Sequence, residues 1–307
     1  MPPKKQKSSS PDYPSLGKSI VKASGNDAAC KLKAGLYIVA TPIGHLGDIT
    51  LRGLATLANA DAIACEDTRT SGVLLAAFGI KKPTFSYHDH NADAKRPEIL
   101  DRIAAGEAIA LISDAGMPVI ADPGFKLVRD CRDMGYAVTV IPGANAALVA
   151  MAGSGLPTDQ FYFAGFLPPK SAARQKEIGA LRHTAATLIF YEAPQRLAAC
   201  LADMVEMMGA DRPAVVAREL TKLFEETRRG TLGELAAHYA ANEVKGEIVI
   251  LIGRGAQKEI VLDIDALLAE RLQHTTLRDA VAEVAEMSGR KKTEVYSRAL
   301  MLAPKRK

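Results

Sequence analysis

Residues 36–48 read LYIVATPIGHLGD. Five apolar, mostly β-branched or aromatic residues stop abruptly at Thr41-Pro42, and a loop of small residues follows. A continuous apolar run of this length bounded by turn residues reads as a strand buried on both faces. The same figure recurs. AIAC (62–65) runs into EDTR, AIALIS (108–113) into DAGMP, and AVTVI (137–141) into PGAN. Helical patterns lie between these runs, over about 50–59, from Thr68, after Asp122-Pro123 with Pro in the first turn, and after Asn145. Strand alternating with helix predicts a mostly parallel sheet covered on both faces.

GSGLPTDQ (153–160) marks a boundary, and the rhythm then restarts. FYFAGF (161–166), TLIFYEAP (187–194), AVVAREL (214–220), LFEETRRG (223–230) and EIVILIG (247–253) read as strands, the third and fourth joined by a tight turn. More consecutive strands predict a mixed sheet here. The fold class is therefore α/β, with one domain over 34–153, a second over 154–253, and a linker with a small helical domain over 254–307. Within LRDAVAEVAEMSGRKKTEVYSRALML (277–302), Leu277, Val281, Val284 and Ala285 form one apolar face and Val295, Ala299 and Leu302 another. The pair resembles a helix-turn-helix with Arg290, Lys291 and Lys292 at its turn. Residues 1–33, rich in Lys, Ser and Pro, read as a flexible basic tail.

The chain has 307 residues, 48% hydrophobic and 24% charged, as in ordinary globular proteins. No apolar run approaches the roughly 20 residues that span a bilayer, and the N-terminus MPPKKQKSSSPDYPS has no apolar stretch of a secretory signal. Cys30, Cys65, Cys131 and Cys200 are far apart and form no CxxC pair, so they read as reduced thiols of a cytoplasmic protein. The net charge of +4 is unevenly spread. Residues 1–33 carry +5, residues 254–307 carry +3, and the middle carries −4. Basic ends on a mildly acidic body suggest an anionic partner such as RNA.

Ligands of open parallel sheets bind at the carboxyl ends of strands. TPIGHLGD, EDTR, SDAGMP and PGANAA occupy that position, and their small residues let backbone approach a ligand. FYEAPQR (190–196), ARELTK (217–222) and KGE (245–247) are a second set of loops able to line the same cleft. Neither GxGxxG nor GxxxxGK[ST] nor GxSxG occurs, which disfavours dinucleotide dehydrogenases, P-loop NTPases and serine hydrolases. HDHN (88–91) is the nearest thing to a metal motif, but nothing else has ligand spacing, so no metal is expected.

These segments, with SYHDHN, ISDAGMPVIADPGF, GLPTDQFYFAGFLPPK and KGEIVILI, occur in an order that resembles the ribosomal RNA small subunit methyltransferase I family of the tetrapyrrole methylase-like superfamily. The resemblance runs from about Gly35 to Gly253, and the basic helical end also looks like that family's C-terminal domain. It implies two α/β domains with S-adenosylmethionine (S-adenosyl-L-methionine) in the inter-domain cleft, 2′-O-ribose methylation of a cytidine in the decoding region of 16S rRNA in the small ribosomal subunit, and a homodimer. Three positions depart from the usual pattern: His45 where Asn is usual, Met117 where Thr is usual, and Ala144 where Pro is usual. By resemblance Pro42, Asp114, Ala115, Met117, Asn145 and Ala146 line the first side of the cofactor site, and Tyr191, Glu192, Arg218 and Glu219 the second. Glu66, Asp67, Arg69, His88 and Asp89 are the candidates for handling the hydroxyl proton. For EDTR the plainer reading is an ion pair that caps the following helix. Lys170, Arg174 and Lys176 are placed to meet RNA phosphate, as are Arg290, Lys291 and Lys292. Two other functions fit part of the pattern: a methylase of precorrin-like tetrapyrroles, and a non-enzymatic RNA-binding factor.

Overall fold

A computed structural model describes residues 11–25, 31–255, 263–288 and 290–302. The chain divides into two compact units, one ending at Gly255 and one beginning at Ala256.

The first unit opens with α1 (Tyr13–Gly25) and continues through β1 (Gly35–Val39), α2 (Leu51–Asn59), β2 (Ala62–Cys65), α3 (Thr68–Ala77), β3 (Thr84–Ser86), α4 (Ala92–Ala104), β4 (Ala108–Ile112), α5 (Phe125–Asp133), β5 (Val138–Ile141) and α6 (Ala146–Ser154). Its five strands are all parallel, in the order β3-β2-β4-β1-β5. Alternate residues of each strand feed opposite faces. Val39, Ile63, Cys65 and Ile112 join Leu54, Leu57 and Phe78 on one face. Leu36, Ile38, Ala64 and Leu111 join Ile99 and Leu127 on the other. Burial on both faces is why these strands read as unbroken apolar runs.

The chain then forms β6 (Phe161–Phe166), α7 (Ser171–Leu181), β7 (Thr187–Glu192), α8 (Leu197–Met208), β8 (Pro213–Arg218), β9 (Glu226–Thr231), α9 (Leu232–Ala241) and β10 (Ile248–Ile252). The second sheet has the order β6-β7-β10-β8-β9 and is mixed: β6 and β7 are parallel, and the other pairs antiparallel. Helices α7, α8 and α9 cover one face of it through Ile178, Leu201, Met204 and Leu235. The other face receives α6 and the loop after β1: Ile43, Ala147, Ala150 and Met151 pack against Ile189, Val215, Val249 and Leu251. That shared apolar layer makes the two sheets one unit.

Several readings of the sequence need correction. Residues 13–25 of the supposed tail are helical. Asp12 starts α1 by accepting from the Ser15 amide at 3.1 Å and from its hydroxyl at 2.5 Å. Ile20 and Val21 pack on the first core, and Gly17 leaves no room for a Cβ against the Phe78 ring. The rest of the tail expectation, 1–10 and 26–30 with Cys30, lies outside the described residues. The short edge strand β3 has no counterpart in the sequence pattern, because Thr-Phe-Ser is too short to show a period. Strands β8 and β9 are joined by residues 219–225, not by a tight turn. Helix α5 begins at Phe125 after Gly124, so Pro123 precedes the helix.

In the second unit, α10 (Ile264–Arg271), α11 (Leu277–Ser288) and α12 (Lys292–Leu302) enclose Ile264, Leu268, Val281, Val284, Val295 and Ala299. Helix begins at Ile264, behind the Asp263 cap. Residues 256–262 and Gly289 lie outside the described residues. Leu302, expected on the apolar face, is 40% exposed. Among the described residues no helix is long and apolar enough to cross a membrane.

Candidate functional site

The carboxyl ends of the first sheet face the second sheet across a cleft of about 400 Å³. Its first wall comes from four loops, those after β1, β2, β4 and β5. After β1, Thr41 pairs with Gly116 through both backbone bonds, at 2.8 and 3.1 Å, so that loop is tied to the one after β4. Gly116 has φ +84, and a Cβ there would lie 3.2 Å from the Ile43 methyl, so the joint requires glycine. The loop after β4 continues through Val119 at φ 75 and Ala121 at φ 61. A β-branched residue in the left-handed region is a genuine outlier, the kind of strain that clusters at functional sites.

Acidic residues gather on this wall. Glu66, Asp114 and Asp122 all line the cleft. Burial, and then the nearby Asp114 and Asp89 charges, raise the Glu66 carboxyl above its usual range. Burial also raises Asp114, although its carboxylate accepts from the Asp67 amide at 3.2 Å. Burial and then the Glu66 charge push Asp122 up to about 6. A site that strains to keep its carboxylates ionised favours a cationic or hydrogen-bond-donating ligand.

The second wall is largely apolar and aromatic. Phe166, Tyr191, Ile248 and Val249 line it, and the Tyr191 ring meets Phe166 edge-on at 5.5 Å. The Tyr191 hydroxyl accepts from the Ala147 amide at 3.2 Å, across the joint between the halves. Glu192 is buried. Its Oε1 accepts from the Ala193 amide at 2.8 Å and faces Arg196 at 2.7 Å. Its Oε2 is shielded from solvent and has no hydrogen-bond partner among the described residues.

Of the expected cofactor residues, the structure brings Asp114, Ala115, Met117, Asn145, Ala146, Tyr191 and Glu192 to the cleft. Asn145 also caps α6 by accepting from the Leu148 amide at 3.1 Å. Pro42, Arg218 and Glu219 do not line it. Arg218 is paired with Glu226 at 3.0 Å. Glu219 accepts from Lys222 at 2.9 Å and from the Glu247 amide at 3.0 Å. Of the five proton-handling candidates, only Glu66 lines the cleft. Asp67 caps α3 and holds the Arg69 guanidinium at 2.7 Å, which lowers its pKa to about 2. His88 and His90 meet edge-on at 5.9 Å, and the buried His88 Nδ1 has no partner among the described residues. Asp89 does not line the cleft, but its charge helps to raise both Glu66 and Asp122. No group of three His, Cys, Asp or Glu among the described residues could hold a metal ion.

Lys170 and Lys176 are exposed around α7. Arg174 requires a correction. It is 4% exposed, its guanidinium sits 2.6 Å from Asp203, and it donates to the Pro169 carbonyl. The side chain that a charge pattern would give to solvent ties α7 to α8 instead. Arg290 is paired with Glu294, whereas Lys291 and Lys292 are exposed. Asp122, Ile43, Glu247 and Phe166 were missed. Asp122 stands next to the proline read as a helix start, Ile43 and Glu247 lie inside the loops TPIGHLGD and KGE with nothing to single them out, and Phe166 ends a strand.

The tetrapyrrole (corrin/porphyrin) methylase family matches residues 35–236, and a family described as the RsmI C-terminal HTH domain matches residues 258–303. Ribosomal RNA small subunit methyltransferase I of Mesorhizobium japonicum is 50% identical over 88% of this chain and 93% of its own length. Among solved structures, diphthine synthase superposes with a TM-score of 0.58 at 16% identity, over 71% of this chain and 89% of its own. Uroporphyrin-III C-methyl transferase from Thermus thermophilus, complexed with S-adenyl homocysteine, superposes with a TM-score of 0.51 at 18% identity, over 71% and 97%. At such identities the structures speak for the fold alone, while the sequence relatives fix the group. The chain belongs to the tetrapyrrole methylase family and, within it, to the ribosomal RNA small subunit methyltransferase I family.

Proposed function

We propose that this chain is an S-adenosylmethionine-dependent methyltransferase that methylates the ribose 2′-oxygen of a cytidine in the decoding region of 16S rRNA, working on the small ribosomal subunit as a cytoplasmic homodimer. The observation that carries this reading is the cleft, which pairs an acidic, small-residue wall with an aromatic one in a chain of this family. The product-like ligand of the Thermus enzyme supports the cofactor assignment. The residues fit it: Asp114 offers an acceptor to an amine or ribose hydroxyl, while Ile43, Met117 and Val249 exclude water from the rest. When bound, the cofactor supplies an activated methyl group with its own leaving group.

The chain's own task is placement and proton handling. The ribose hydroxyl gives up its proton as its oxygen bonds carbon, and Glu66 accepts that proton from the 2′-OH. Its raised pKa makes it a better base than an ordinary carboxylate near neutral pH. Asp67 and Arg69 support it by capping the loop's helix, and Asp89 by its charge. Lys170, Lys176, Lys291 and Lys292 supply contacts to RNA phosphates, with Arg290 beside them. The exposed Val140 of β5, Leu148 and Val149 of α6, and Phe161 and Tyr162 of β6 supply apolar surface for a second copy. Free, buried Cys65, Cys131 and Cys200 accord with a reducing compartment.

The test is incubation with methyl-labelled S-adenosylmethionine and, in parallel, undermethylated small subunits, naked 16S RNA, or uroporphyrinogen. Label on ribose of a single cytidine in the subunit supports the reading. Label on the tetrapyrrole, on a base, or on nothing overturns it.

A further inference from the structure

Helix α1 lies ahead of the family match, which begins at residue 35. It nevertheless touches the loop that joins both walls of the cleft. The Tyr13 ring meets the His45 ring edge-on, with centroids 5.1 Å apart and planes at 81°. Behind that contact the backbone is close: a Cβ at Gly47 would lie 2.9 Å from the Tyr13 ring and 2.9 Å from the His45 ring. The His45 Nδ1 accepts from the Gly47 amide at 3.1 Å and so caps the short turn Leu46–Asp48.

From His45 the connection runs to both walls. Its amide donates to the Thr221 hydroxyl at 3.1 Å, in the loop between β8 and β9. That loop has left-handed backbone at Glu219 (φ 52) and Thr221 (φ 64), and its Lys222 bonds Glu247, which lines the cleft, at 3.1 Å. In the other direction Ile43 lines the cleft directly, and Thr41 holds Gly116 by two backbone bonds. One short segment, 41–48, therefore spans the cleft, and α1 is the element packed on its outer side. An Asn at position 45 could make the Gly47 cap but would offer no ring to Tyr13.

We propose that Tyr13 and His45 form a brace by which the N-terminal helix fixes the segment 41–48, and so sets the spacing of the two cleft walls and the affinity for the cofactor. Both are positioning residues, since neither lines the cleft. The inference rests on the cofactor reading of the cleft given above, so its test has a readout free of any ligand.

In the full-length chain, Tyr13→Ala is expected to speed amide hydrogen exchange across 41–48 in the unliganded protein. It should also weaken S-adenosylmethionine binding by about three- to tenfold, the range an aromatic edge contact can transmit. Tyr13→Phe, which keeps the ring, should behave as the parent. His45→Asn keeps the cap and loses the ring. It should match Tyr13→Ala, and the two changes together should do no more than either alone. His45→Asn, at an exposed position, carries the test should Tyr13→Ala not fold. Unchanged exchange over 41–48 overturns the brace whatever the cleft binds. So does additivity of the two changes, or a Tyr13→Phe protein as impaired as Tyr13→Ala. A parent protein that binds no S-adenosylmethionine overturns the cofactor reading instead, while exchange still decides the brace.

Discussion

The carboxylates of the cleft and those of the second sheet are the same chemical groups under opposite electrostatics. Glu66, Asp114 and Asp122 are partly buried beside one another, and all three are raised above the usual range. Asp203, Glu219 and Glu226 are lowered. For Asp203, burial works against ionisation, but bonds from Gln175, Arg174 and Ser171 outweigh it; Glu219 and Glu226 are held chiefly by Lys222 and Arg218. The second group is satisfied inside the fold and serves stability. The first is left in want of partners, which is what a binding site for a donor-rich ligand requires.

Breaking the satisfied group should have the largest effect. Asp203→Ala would leave the Arg174 guanidinium buried without its carboxylate, and stranding a buried charge in this way costs about 3–5 kcal/mol. The urea midpoint should drop markedly, while cofactor affinity measured well below the transition stays within twofold. A drop in affinity with little change in stability would erase the distinction between the two groups.

Asp114→Ala is the converse. Removing one charged hydrogen-bond acceptor from the cleft should weaken S-adenosylmethionine binding by about ten- to a hundredfold, with a thermal midpoint near that of the parent. Calorimetric titration checks it, and unchanged affinity would remove Asp114 from the site.

Asp122 sharpens the comparison through pH. Its folded pKa, about 6, lies above the ordinary carboxylate value, so the folded state favours the protonated form. The stability this group contributes is full below about pH 4 and is lost as pH rises through about 6. Asp122→Asn should therefore stabilise the protein at pH 7.5 by about 1–2 kcal/mol. That advantage should fade as pH falls from about 6 to 4. Denaturant titrations at three pH values measure this, and a constant difference would contradict the raised pKa.

The smallest effect is expected outside the first unit. Changing Arg290, Lys291 and Lys292 to Ala should leave cofactor affinity unchanged. It should lower the log–log salt slope of RNA binding by about 0.7–0.9 for each phosphate that these cations no longer neutralise. Filter binding at four salt concentrations would show it, and an unchanged slope would leave these cations with no part in RNA binding.

The apolar runs 36–40, 62–65 and 108–112 announced a parallel sheet because strands covered on both faces must be apolar at every position, a constraint local enough to read. The edge strand β5 is the exception, with Thr139 and an exposed Val140. The loops after these strands were legible as cleft-lining for the same reason: each follows directly from a strand end. Helix α1 escaped notice because its inner face, Tyr13, Gly17, Ile20, Val21 and Ser24, holds few aliphatic residues among Lys, Ser and Pro. Its burial depends on Phe78 and Leu54, far along the chain. Arg174 looked like a solvated cation because nothing near it in sequence reveals Asp203, 29 residues on.

The sequence by itself determined the α/β class and the loops of the first sheet that line the cleft, since these follow from periodicity and turn chemistry over a few residues. Only the tertiary structure decided which carboxylates stand unpaired at the cleft and which are neutralised, that Asp122 joins Glu66, and that Tyr13 reaches His45. Charge state and contact depend on what distant segments bring within a few ångströms, and no local pattern encodes that distance.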